Sequence, residues 1–122
     1  MKFNLIANGE ILGGSELEGA DPSIGVRGGK FVPNVNYSKY QHLFREQSRM
    51  LIRSLGGQEP PTEYKNLRAQ IDALSLRVET AAGEEVPTRH IEFEDFSEDL
   101  GEEGYELSIV VDGRSTYEKF FG

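Results

Sequence analysis

The chain contains no cysteine. That absence excludes a disulfide framework, a thiol nucleophile and any zinc or iron–sulfur site held by thiolates, and it fits a reducing compartment. No apolar run approaches the roughly 20 residues that a membrane span needs. The first segment, Met1–Leu12, carries one lysine and a short apolar stretch before Asn8-Gly9, without the apolar core of a signal peptide. These absences predict a cytoplasmic protein with no membrane partner. Basic residues are also scarce, with 13 Lys and Arg against 21 Asp and Glu and a net charge of −8. Nucleic acid is thereby disfavoured as a partner, because phosphate binding depends on clustered Lys and Arg.

At 122 residues, with 37% apolar side chains, the chain reads as a single domain spanning residues 1–122. A domain of this length buries roughly two thirds of its unfolded surface. No internal repeat or low-complexity linker divides it. Lys2–Ala7 alternates around Phe3 and Leu5, then meets Asn8-Gly9 and Ile11-Leu12, a strong hairpin signal. Gly13–Ile24 reads as a loop turning at Asp21-Pro22, and Gly25–Pro33 as a strand. The pair Gly28-Gly29 inside that strand predicts a bulge or a close backbone approach.

The spacing of Tyr40, Leu43, Phe44, Leu51, Ser54 and Leu55 predicts a long helix over Tyr37–Leu55, capped by Asn36 and stopped by Gly56-Gly57 with Pro60-Pro61 beyond. Thr62–Ala73 fits both periods; we read a turn or short helix entering a strand near Ala69. Leu74–Val78 and Thr88–Glu94 alternate on either side of an Ala81–Glu85 turn, which predicts a second hairpin. Tyr105, Leu107, Ile109 and Val111 predict a further strand, and Ser115 to Glu118 has capping-box spacing for a final helical turn. The expected fold is α+β, an antiparallel sheet of about five to six strands with one long helix packed on one face and a short C-terminal helix.

Charge is segregated along the chain. From Ile24 to Leu55 there are six bases against the single acid Glu46. His42, Arg45, Arg49 and Arg53 fall together on the helix, opposite its apolar stripe, as a basic face. From Glu92 to Glu106 there are eight acids and no base: Glu92, Glu94, Asp95, Glu98, Asp99, Glu102, Glu103 and Glu106. Only Phe96 and Leu100 anchor the middle of this stretch.

Motifs for small-molecule chemistry fail on inspection. Gly25 to Lys30 has three residues rather than four between its glycines, and Phe31 where a P-loop needs Ser or Thr. A calcium loop starting at Asp95 would place Leu100 where glycine is required. His90, Glu92 and Glu94 share a strand face, but same-face residues stand ~7 Å apart, too far for a metal without help from another strand. No catalytic residue, cofactor or metal site emerges.

The acidic segment, with Glu92, Glu94, Asp95, Glu98, Asp99, Glu102 and Glu103 as its contact residues, is the expected partner-binding element, and its natural partner is a basic protein. In size, acidity and lack of cysteine the chain resembles bacterial immunity proteins, which neutralise basic toxins; the resemblance implies a non-catalytic protein-binding module. The alternatives are a self-associating structural domain, in which the basic face of one chain meets the acidic stretch of another, and an enzyme of unrecognised type.

Overall fold

The fold is built outward from one tight turn, at Asn8-Gly9, in a computed structural model that describes residues 2–57 and 63–122. Asn8 at φ 49° and Gly9 at φ 80° take the two left-handed positions of that turn. The turn joins β1 (Phe3–Ala7) to β2 (Glu10–Ser15) in antiparallel register, Ala7 opposite Glu10. Leu5 pairs with Gly13 and Ile6 with Ile11, so Leu12 is an extra residue bulged into the core, where it is fully buried.

The segment expected as a loop, Gly13–Ile24, is half strand and ends in a 3-10 turn at Pro22–Ile24. After Ser15 the chain bulges and resumes as β3 (Gly19–Asp21), and both β2 and β3 pair with β4 (Val26–Pro33). Ser15 faces Phe31 and Gly19 faces Gly28, leaving Glu16, Leu17 and Glu18 opposite only Gly29 and Lys30. Leu17, at φ 47°, drops into the core while its acidic neighbours disguise the strand period. The glycine pair in β4 allows a close approach: the Glu18 carboxylate lies where a side chain on Gly29 would begin.

A 3-10 turn, Val35–Lys39, leads into α1 (Gln41–Leu55). Asn34, not Asn36, is the capping side chain; it accepts from the Asn36 amide at 2.9 Å and starts the 3-10 turn, while Tyr40 occupies the cap position of α1. The buried face of α1 runs through Phe44, Gln47, Ser48 and Met50, whereas Leu55 is 89% exposed. Ser48 sits comfortably in an apolar setting because its hydroxyl donates to the Phe44 carbonyl at 3.1 Å. Gly57 at φ 87° follows the helix end as expected, while Pro60-Pro61 and Thr62 lie outside the described residues.

The ambiguous segment is a helix, α2 (Glu63–Asp72), with no strand at Ala69; Leu67 and Ile71 are buried and Tyr64 packs beside them. The predicted second hairpin is also corrected. β5 (Arg77–Thr80) turns back onto the two-residue β6 (Glu85–Val86), and β7 (Thr88–Asp95) pairs instead with β8 (Tyr105–Val111). Pro87 separates β6 from β7 and cannot donate a ladder hydrogen bond, which ends the pairing there. Between β7 and β8 lie α3 (Ser97–Leu100) and a 3-10 turn, Gly101–Gly104. α4 (Arg114–Phe121) begins at Gly113, so Ser115 lies inside the helix and forms no capping box.

The strands form an antiparallel sheet in the order β6-β5-β1-β2-β4-β8-β7, with β3 beside β4. The first and last strands of that order are joined through Pro87 alone, so the sheet curls until it is nearly a barrel. The fold is α+β as expected, with eight short strands rather than about five to six, since β3 and β6 are too brief to show a period. One end of the core is aromatic: Phe31, Tyr37 and Phe44 each meet the Phe93 ring at centroid distances of 4.7, 5.4 and 4.9 Å, edge to face. At the other end Phe121 of α4 stacks on Phe3 at 5.0 Å.

Candidate binding surface

The basic face of α1 and the acidic stretch meet within one chain. Asp95, the last residue of β7, is 1% exposed and turned inward. The Tyr37 hydroxyl donates to its Oδ2 at 2.6 Å, and the Ser97 amide and hydroxyl donate to Oδ1 at 2.8 and 2.5 Å. Burial, and then the bond to Asp95, push the Tyr37 phenol far above its ordinary range. Gln41 bridges Asp95 to the Tyr105 hydroxyl. Arg45 lies over this cluster with Nε 3.8 Å from Asp95 and 4.0 Å from Glu98, and its Nη2 donates to the Ser97 hydroxyl. Arg49 is bound between Glu46 and Glu98.

Two of the four basic-face residues are therefore spent inside the molecule. His42 is exposed and lines a shallow hollow of about 280 Å³ with Arg45, Arg49 and Glu98. Arg53 is exposed and joins no salt bridge among the described residues. On the acidic side, Glu103 is bound by Lys30 at 2.8 Å; that hydrogen bond, then the charge behind it, holds the Lys30 ammonium above its ordinary value. Glu98 is taken by the arginines. Asp99 and Glu102 are exposed and enter no salt bridge among the described residues.

A second cluster occupies the outer face of the β7–β8 ladder. Strand alternation sends Phe93, Leu107 and Ile109 inward, and Glu92, Glu94, Glu106 and Ser108 outward. Glu94 stands directly opposite Glu106, and Glu92 opposite Ser108. Together they line a hollow of about 270 Å³. Partial burial, then the charges of Glu106 and Glu92, raise the Glu94 carboxyl above its ordinary value. The lysine paired across from Glu106 is Lys30, and its ammonium reaches away to Glu103. Glu92 is partly relieved at the rim, by His90 Nε2 at 2.6 Å and Arg68 at 3.8 Å.

The acids singled out by sequence thus separate into two groups. Asp95, Glu98, Glu103 and Glu92 are engaged within the molecule, whereas Glu94 faces outward opposite Glu106, and Asp99 and Glu102 are exposed in the connection between β7 and β8. Lys30, Arg68, Gln41 and Tyr37 complete the electrostatics and carried no sequence signal of that role, because their partners lie between 24 and 73 residues away along the chain. No three His, Asp or Glu side chains among the described residues are grouped to hold a metal ion. Among the described residues, no helix is long and apolar enough to cross a membrane. The chain matches no known family, and no curated protein or solved structure is significantly similar to it.

Proposed function

We propose that the protein is a non-catalytic binding module that offers the outer face of β7–β8, with Asp99 and Glu102 at its end, to a basic partner protein. The observation that carries this reading is the Glu94–Glu106 pair. Two carboxylates face each other across a ladder with a third alongside, while the nearest lysine is directed elsewhere. Like charges placed opposite one another destabilise a sheet. A guanidinium or ammonium from a partner, set in the hollow, relieves that repulsion and gains charge-assisted hydrogen bonds. Arg45 and Arg49, already paired with Asp95, Glu46 and Glu98, are not directed at this face.

The test uses poly-L-arginine as the probe and compares two variants of equal charge. Glu94→Gln with Glu106→Gln should slow association several-fold and flatten its salt dependence. The control, Glu63→Gln with Glu85→Gln, removes two exposed carboxylates elsewhere and should leave association close to the parent value. Equal behaviour of the two variants would show that only overall charge matters and would defeat the reading.

A further inference from the structure

Another hollow lies away from the acidic face and has a different character. It is a cleft of about 700 Å³ between the 3-10 turn Pro22–Ile24, the adjoining ends of β7 and β8, and α4. That volume is in the range of small-molecule sites. Its lining includes Arg89 and Arg114, with Glu118 as the one acidic side chain and Gly122 beside it, in a chain where acidic side chains otherwise outnumber basic ones. Glu118 is occupied, since Arg114 Nε bonds it at 3.2 Å along α4. Arg89 has no carboxylate partner among the described residues.

The position of Arg89 has a backbone cause. Thr88 pairs with Val111 and His90 with Val110, so Arg89 is the extra residue of a β-bulge. A bulge removes a residue from the ladder and re-aims its side chain. Here it leaves Arg89 at the junction of this cleft and the neighbouring hollow of Arg68 and Asp72, lining both. Opposite stand apolar groups that the fold leaves uncovered, above all Ile24, which is 64% exposed, with Pro22, Val110 and Tyr117 beside it.

We propose that this cleft binds a small amphipathic anion, a carboxylate or phosphate monoester with an aromatic or aliphatic body. The anionic head pairs with the Arg89 fork, which suits a planar or tetrahedral oxyanion bidentately. The body covers Ile24, Pro22 and Tyr117.

Titration with phenyl phosphate, followed by amide NMR shifts, tests this. Saturable shifts are expected at Gly25, Arg89, Gly113 and Arg114. Inorganic phosphate should bind the same residues more weakly, and benzyl alcohol should not bind measurably. Arg89→Ala, at an exposed position, should weaken phenyl phosphate roughly tenfold. Ile24→Ser should weaken phenyl phosphate and leave inorganic phosphate unchanged. Shifts that fail to saturate, that centre on Asp72 and Ser75 in the neighbouring hollow, or that persist undiminished in Arg89→Ala would overturn the proposal.

Discussion

Single residues carry most of the electrostatic tension, and Glu94 shows it directly. Its folded-state pKa is raised by burial and by Glu106 and Glu92. A carboxyl whose pKa rises on folding contributes stability below its unfolded pKa and loses it as pH climbs through the folded value. Glu94→Gln should therefore stabilise the protein by about 0.5 kcal/mol at neutral pH, with the gain vanishing in acid. Urea denaturation of both proteins at the two pH values measures it. The Tyr37 pKa is also raised on folding, but its contact is favourable. Its hydroxyl is a buried donor to a buried carboxylate, so Tyr37→Phe should cost about 2 kcal/mol by leaving Asp95 short of a partner. In the parent protein, with the phenol pKa raised on folding, stability is present below the ordinary phenol range and falls as alkali ionises the unfolded state. Ultraviolet titration should show one tyrosine ionising only as the fold is lost.

Among the elements, the acidic connection between β7 and β8 depends on one glycine. Gly104 packs against the Phe96 backbone, where a Cβ would come within 2.5 Å of the Phe96 carbonyl carbon, and its own carbonyl accepts from the Phe96 amide at 2.8 Å. Backbone cannot give way as a side-chain tip does. Gly104→Ala should displace α3, cost about 3 kcal/mol and weaken poly-L-arginine binding, as thermal melts and the association assay will show. The elements also differ in how far their sequences announce them. The Asn8-Gly9 hairpin, β8 and α1 were legible because turn chemistry or a clean apolar period is local. β3 and β6 were not, being three and two residues long, and the Leu17 bulge hid one strand inside an acidic run. α2 was half legible, since Leu67, Ile71 and Leu74 fit a helix while Ala69 and Ala73 fit a strand as well. At the acidic surface the charges were legible and their pairing was not. Nothing local distinguishes the inward Asp95 from the outward Glu94.

At the scale of the molecule, the pairing of Arg45 and Arg49 with Asp95 and Glu98 of their own chain leaves only His42 and Arg53 of the basic face for a head-to-tail contact. Light scattering should report a monomer at low and high salt alike. The same α1 contact reaches further through Gln47, which is 1% exposed. Its amide donates to the Phe93 carbonyl on β7 at 3.2 Å, and its own oxygen is held by Arg68 at 2.6 Å. β7 ends the strand order, so this carbonyl is one that an added strand would have used. At the other end, β6 is two residues long and runs into Pro87. With the Phe93 carbonyl covered on β7 and β6 so short, the ends of the strand order offer a reduced template for cross-β growth, and concentrated solutions should be slow to form fibrils. The basic partner proposed above would accordingly dock on side-chain charge and shape and would not extend the sheet.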